Sequence, residues 1–531
     1  MTRGRAVLAL ALLGILAFAG YRGWQAWELT QPGFHARDCW FPTGITGGAR
    51  CGFLVVKENR SDPESRTIRL PVVVFEAQSH VPRKEPILYL TGGPGASAYL
   101  AERHQIQGWW QERRLFPQGH DLIVMGQRGT GLEEPDFGCD AFGTPEVGLL
   151  AYNLGTPPPD IHALTIKAVT DCAAQLTEDG VDLTAYNSRE SAADVAELRE
   201  ALGIEEWTLY GISYGTRLAL STLRYHPEGV RAVVLDSVFP PESTQTVDLA
   251  KHFDAALQRV FDDCAATPAC RERYGDLRTA YAAAGAWLEA SPPSYTLREI
   301  FGPVEAEFAV GTRRYRYRPD DDADWIDQAI LFDKPTLDEL LFDALYSSDA
   351  RLGIPRLLQQ TAQRGTTVLR ERFRDYLLYT ISYSVHAAVY LSHVCHDEAP
   401  FESPEQIAAA VAAAGSQGHL IDRAWTSYLC DHWPAGEADP IENTPVASAV
   451  PALLLAGERD PITPPALAQS AAAHLTNGRA YALAGVSHGV LYESLCAQLL
   501  LARFLETLRP PSRSHCSASD FVDLPRRREG P

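Results

Sequence analysis

The chemistry of this chain starts at Gly211-Ile212-Ser213-Tyr214-Gly215, where the apolar run Leu209-Tyr210 meets the helix-forming run Thr216-Arg217-Leu218-Ala219-Leu220. A serine hydroxyl ionises far above neutral pH. It becomes a nucleophile when the backbone holds it out on a sharp strand-to-helix turn within reach of a base. The flanking glycines allow that turn to pack closely. Ser213 is therefore the candidate nucleophile, although the same five-residue pattern also serves as a plain structural turn.

Two residues downstream of Ser213 favour chemistry over a mere turn. Asp460 comes after the apolar run Ala452 to Leu455, in Gly457-Glu458-Arg459-Asp460-Pro461. A turn rich in Gly and Pro after a buried strand places a carboxylate at the rim of a sheet, where it can accept a histidine ring N–H and fix the tautomer. His488, in Gly485-Val486-Ser487-His488-Gly489, alone among fifteen histidines sits on a loop after the last expected strand. Nucleophile, acid and histidine thus occur in one order. Thr91-Gly92-Gly93-Pro94-Gly95 ends another apolar run, and an N–H near Gly93, with that of Tyr214, would hold the negative charge of a tetrahedral intermediate. This chemistry needs no cofactor. No C-x-x-C pair or H-E-x-x-H segment marks a zinc site, so no metal is expected.

These residues need a scaffold. Short β-rich runs recur at Gly52 to Val56, Ile68 to Phe75, Ile87 to Leu90, Leu122 to Met125, Trp207 to Tyr210, Val230 to Leu235, Ala452 to Leu455 and Ala480 to Leu483. Helical patterns lie between the later ones, such as Ser191 to Leu202 with Val195, Leu198 and Leu202 on one face. The alternation predicts an α/β fold with a mostly parallel eight-stranded sheet covered on both faces. It stops after Pro241 and resumes near Pro451. The intervening chain reads as mainly helical, with a hairpin expected within Ser294 to Tyr317. Placed after the sixth core strand, such an insertion would lie over the carboxyl ends of the strands and act as a lid. The expected units are a first core part at 35–245, a lid at 246–440, a second core part at 441–508 and an irregular tail at 509–531.

With 531 residues, 46% of them hydrophobic, the chain can fill such a core. Its 47 basic and 67 acidic residues leave a net charge of −20, which argues against nucleic acid or an anionic membrane surface as partner. Residues 1–19 pair Arg3 and Arg5 with the apolar run Ala6 to Ala19, the layout of a cleaved export signal. An uncleaved anchor, with Tyr21, Trp24 and Trp27 at a membrane interface, is the alternative and the only membrane contact expected. Either way the chain is expected to be periplasmic or extracellular. Ten cysteines suit that oxidising compartment, and sequence neighbours form plausible couples: Cys39 with Cys51, Cys139 with Cys172, Cys264 with Cys270, Cys395 with Cys430, and Cys496 with Cys516.

Taken together, Gly92 to Gly95, Gln127-Arg128-Gly129-Thr130-Gly131, Gly211 to Gly215, Gly457 to Asp460 and Ser487-His488-Gly489 resemble the proline iminopeptidase and tripeptidyl aminopeptidase branch of the α/β-hydrolases, over about residues 39 to 505. The resemblance implies an α/β-hydrolase fold and a serine exopeptidase that acts on peptides with a free amino terminus. Val394-Cys395-His396-Asp397-Glu398 is similar to the acidic lid motif of the exported, cysteine-bearing members. By that resemblance Asp397 and Glu398 are candidates to pair with the substrate's α-ammonium. Two positions depart from the pattern: Gly126 stands where an Asp usually precedes Q-R-G-T-G, and Thr91 where proline iminopeptidases have His. A carboxylesterase or lipase would use the same triad. A binding protein on this scaffold would have lost it.

Overall fold

The computed structural model describes residues 27–522 except 44–47, 78–79, 101–102, 131, 133–136, 140–157, 311–312, 321–325, 328, 380–384, 425–426 and 514–515. The expected export segment lies outside the described residues. Among the described residues, no helix is long and apolar enough to cross a membrane.

Among the described residues, fourteen strands occur in chain order: β1 (Gly33–Arg37), β2 (Ala49–Lys57), β3 (Thr67–Phe75), β4 (Lys84–Leu90), β5 (His120–Met125), β6 (Trp207–Ile212), β7 (Val230–Asp236), β8 (Ser294–Tyr295), β9 (Ala306–Val310), β10 (Arg313–Tyr317), β11 (Ile330–Leu331), β12 (Ala452–Gly457), β13 (Gly478–Leu483) and β14 (Phe521–Val522). Ten of them form the main sheet in the order β1-β2-β3-β5-β4-β6-β7-β12-β13-β14. From β5 to β13 every neighbouring pair is parallel, whereas β1, β2, β3 and β14 join antiparallel at the edges. All residues of β5 and β12 are buried, as parallel strands covered on both faces require.

Alternate residues of the central strands feed two cores. Leu88, Leu209, Val233 and Leu454 face the helices Ser188–Ala201 and Tyr214–Tyr225. Tyr89, Tyr210, Val234 and Leu455 face the helices Arg103–Glu112 and Leu495–Thr507.

The expected eight-stranded sheet gains two edge strands. Residues of β1 are only half-buried, so its sequence carries little apolar alternation, and β14 is two residues long. The tail expected to be irregular therefore contributes a strand, paired at Ala482–Val522 and Leu483–Phe521.

Between β7 and β12 runs a helical insertion with its own core, in which Phe253, Leu257, Leu288, Leu337, Leu341 and Phe373 pack together. The hairpin expected over Ser294 to Tyr317 occupies only its second half, as β9 and β10. Its first half divides: β8 pairs with β11, and Leu297–Phe301 forms a short helix closed by a reciprocal Thr296–Glu299 capping box. Five disulfides join Cys39–Cys51, Cys139–Cys172, Cys264–Cys270, Cys395–Cys430 and Cys496–Cys516. They suit an oxidising compartment.

Candidate active site

Ser213 stands between β6 and the helix Tyr214–Tyr225 with φ 55° and ψ −126°, a backbone conformation that costs a non-glycine residue energy. Packing enforces it. A Cβ on Gly211 would lie 2.2 Å from the Gly215 carbonyl oxygen, and one on Gly215 would lie 2.1 Å from that of Leu90. No larger residue fits at either position. Because Tyr214 opens the helix, its N–H belongs to the first turn, whose donors have no intrahelical acceptor. The helix dipole adds partial positive charge there.

The glycine loop after β4 lies against this turn: a Cβ on Gly92 would come within 3.0 Å of Ser213 Cβ, and Gly93 has φ +110°. Gln127 braces the loop, its Nε2 donating to Thr91 O at 3.0 Å and to Thr91 Oγ1 at 2.9 Å. Next to it, fully buried Arg128 makes a two-pronged ion pair with Asp194 at 2.8 and 2.7 Å. At the departing position, the Gly126 N–H donates to Pro71 O. The structure thus gives the bracing of the glycine loop to Gln127.

On the other side, His488 Nδ1 lies 2.8 Å from Asp460 Oδ2. Asp460 is 1% exposed and also accepts from the N–H groups of Ile462 and Thr463 and from Thr463 Oγ1. Burial alone would raise the Asp460 pKa, but the facing imidazole and the Thr463 donors hold it below the usual carboxylate range. For His488, burial acts to lower the pKa. The charge and hydrogen bond of Asp460, with Asp236 and Glu493 nearby, outweigh it and leave the ring above the ordinary histidine value.

Asp236, at the end of β7, ties the two halves together. Its carbonyl oxygen accepts the Ser213 N–H at 2.9 Å, and its carboxylate accepts the N–H groups of Val490 at 2.8 Å and Leu491 at 2.9 Å. Ser237 Oγ accepts the Gly489 N–H at 2.8 Å. The serine turn and the histidine loop therefore share one anchor. Sequence reasoning passed over Asp236, although a carboxylate directly after the apolar run Val230 to Leu235 was the available signal.

The insertion reaches this site through the helix Ala387–Asp397. The His386 N–H donates to Gly95 O at 2.9 Å, so the start of that helix rests on the glycine loop. At its far end the two acids part. Asp397 accepts from the Ser188 N–H and, at 2.6 Å, from Ser188 Oγ, while His393 Nδ1 lies 3.1 Å away. The Tyr214 hydroxyl joins the same cluster, 2.9 Å from Ser188 Oγ and 3.1 Å from His393 Nδ1. The Asp397 carboxylate thus holds the insertion against the serine turn. Burial would raise its pKa, but His393, His396 and Arg217 drive it well below the carboxylate range.

Glu398 is equally buried, yet no hydrogen-bond donor reaches its carboxylate among the described residues. Burial, partly offset by Arg217 and reinforced by Glu402 and Asp397, pushes its pKa up to about 7.

Residues 85–281 match the family described as alpha/beta hydrolase fold, and residues 418–516 match the one described as TAP-like protein. The first stretch contains Gly93, Ser213 and Asp236; the second contains Asp460 and His488. The chain has the α/β-hydrolase fold. Serine protease Hip1 of Mycobacterium tuberculosis is 26% identical to this chain over 235 residues, 43% of each, so the match spans less than half the length of that relative. Tripeptidyl aminopeptidase of Streptomyces lividans is 24% identical over 317 residues, 57% of this chain and 56% of its own. A solved proline iminopeptidase from Mycobacterium smegmatis is 17% identical, covers 86% of this chain and 98% of its own, and has a TM-score of 0.33.

Two groups of metal-ligating residue types lie close together among the described residues, and both are internally engaged. Cys496 and Cys516, beside Asp520, are joined as a disulfide. In the other, His396 faces Ala435 O at 2.8 Å and Glu442 at 3.2 Å, while the donors from Ser188 and His393 occupy Asp397.

Proposed function

We propose that the hydrolase is a serine exopeptidase that releases single residues or short peptides from free amino termini through an acyl-enzyme on Ser213. The observation that carries the reading is the 2.8 Å pairing of buried Asp460 with His488, on a loop that shares the Asp236 anchor with the Ser213 turn.

In this mechanism Ser213 Oγ attacks the scissile carbonyl and its proton passes to Nε2 of His488, whose Nδ1–H is held by Asp460. The oxyanion is met by the Tyr214 N–H and an N–H of the glycine loop near Gly93. Collapse of the tetrahedral species breaks the peptide bond, and the imidazolium gives its proton to the leaving amine. Water, deprotonated by the same histidine, then attacks the acyl-enzyme and frees Ser213. The helical insertion serves as a lid, and Glu398 on it receives the α-ammonium of the substrate. An unpaired ammonium is a natural partner for a buried carboxylate without a donor. The two peptidase-named relatives support peptides as the substrate class.

The test compares aminoacyl and tripeptidyl chromogenic substrates with their N-acetylated forms and with simple esters. The exopeptidase reading expects turnover of the free-amine substrates to be lost on acetylation. Equal turnover of blocked and unblocked substrates, with faster ester hydrolysis, would assign a carboxylesterase instead.

A further inference from the structure

We propose that Tyr346 of the helical insertion and Glu493 are positioning residues for His488, so that the insertion forms part of the seat of the catalytic imidazole. The inference rests on the reading of His488 as general base and goes beyond it by naming what holds the ring.

The contacts form a continuous strap. Tyr346 ends the helix Lys334–Leu345, and its own N–H is fixed on Asp343 O. Its carbonyl oxygen accepts the His488 N–H at 3.3 Å, and its ring meets the imidazole edge to face, centroids 5.0 Å apart and planes 61° apart. Two residues on, the Ser348 N–H donates to Glu493 Oε1 at 2.7 Å, and the Ser348 hydroxyl donates to Oε2. The same Oε2 accepts the Ser487 N–H at 2.9 Å, directly before the histidine. Arg351 Nη2 donates to Gly485 O at 2.6 Å. One stretch of the insertion therefore grips the loop Gly485 to Glu493 from above, while Asp236 and Ser237 hold it from below.

Every element around the ring bears on its charge. Asp460 sits on Nδ1 from the loop after β12, with His252 of the helix Gln245–Ala266 beyond it; Asp236 acts from β7 and Glu493 from the histidine's own loop. Tyr346 contributes an apolar face that keeps water off the imidazole and disfavours its protonated form, whereas the Glu493 charge favours that form. The two residues act on one loop with opposite electrostatic signs.

That opposition gives the test. The pH dependence of kcat at saturating substrate, where the effect of Glu398 on KM drops out, reports the ionisation of His488 in the enzyme–substrate complex on its acid limb. Tyr346→Ala should move that limb to higher pH and lower kcat about tenfold or more with KM little changed, because a misplaced base costs rate rather than binding. Tyr346→Phe should restore the limb. Glu493→Gln, which keeps shape and removes charge, should move the limb to lower pH. Limbs that stay in place, or that both move in one direction, overturn the proposal, because a merely structural role gives no opposed shifts. Should Tyr346→Ala fail to fold, the direction of the Glu493→Gln shift decides alone. Ser213→Ala, measured alongside, separates the two readings: turnover equal to wild type would refute the serine mechanism itself.

Discussion

Ser188 and Asp397, 209 residues apart in the sequence, share a 2.6 Å hydrogen bond beneath the candidate nucleophile turn. The bond joins the first turn of a core helix to the last turn of an insertion helix. Through the Tyr214 hydroxyl it also reaches the residue whose N–H is proposed to bind the oxyanion.

Asp397→Asn should therefore weaken the whole protein. Removing one partner of a buried charged cluster costs about 3 kcal/mol or more. The wild-type carboxyl is depressed below its ordinary value, so its stabilisation is fully present above about pH 4 and fades as pH falls through the folded value. Denaturant midpoints of wild type and variant should differ widely at pH 7 and converge in strong acid. A gap that stayed constant with pH would show that the charge contributes nothing.

Glu398→Gln should have two opposed effects. Burial holds the wild-type carboxyl near 7, so ammonium binding needs it ionised and KM should rise as pH drops below about 7. Above about pH 8 the substrate amine loses its own charge and KM should rise again. The variant should raise KM about tenfold at pH 7.5, the worth of one charge-assisted hydrogen bond, and lose the acid-side dependence. Stability runs the other way. A carboxyl with a raised pKa destabilises the fold increasingly as pH climbs from the ordinary Glu value toward 7, so the variant should be more stable than wild type at pH 8. Thermal melts at pH 5 and pH 8 check this, and a variant no more stable at pH 8 contradicts the buried, donor-free placement.

How far the site was legible in the sequence differs from residue to residue. Ser213, Asp460 and His488 stood out because each comes after an apolar run at a glycine-rich turn, a local signature of the carboxyl end of a strand. Glu398 was visible only by resemblance, and nothing in Asp397-Glu398 told which acid would be tied down; that depends on Ser188 arriving from a distant helix. Gln127, Asp236, Tyr346 and Glu493 act through backbone groups of segments far away in sequence, and periodicity carries no trace of such pairings. The edge strands β1 and β14 escaped for a related reason: half-buried or two residues long, they lack the alternation that marks a strand.

Asp460→Asn should keep the fold and lower kcat by about 10⁴-fold, the cost of letting the imidazole settle in the wrong tautomer. KM should change little, since the buried Asp460 carboxylate is engaged by His488, Ile462 and Thr463. Steady-state kinetics on a free-amine tripeptidyl substrate measures both, and a loss confined to KM would assign Asp460 a binding role instead.

Gln127→Ala should impair the glycine loop proposed to bind the oxyanion without touching the proposed triad. It removes both donors to Thr91, and loss of a well-placed oxyanion donor costs about 3 kcal/mol of barrier. A fall in kcat of up to about a hundredfold, with an unchanged acid limb in the pH profile, is the expected result. A shifted limb would place the effect on His488.

The most direct test of the central claim is fluorophosphonate labelling read by mass spectrometry of the digested protein. The predicted result is a single adduct on the peptide that carries Ser213, formed rapidly by wild type, slowly by His488→Ala and not at all by Ser213→Ala. An adduct on another serine, or labelling at the wild-type rate in Ser213→Ala, would contradict it.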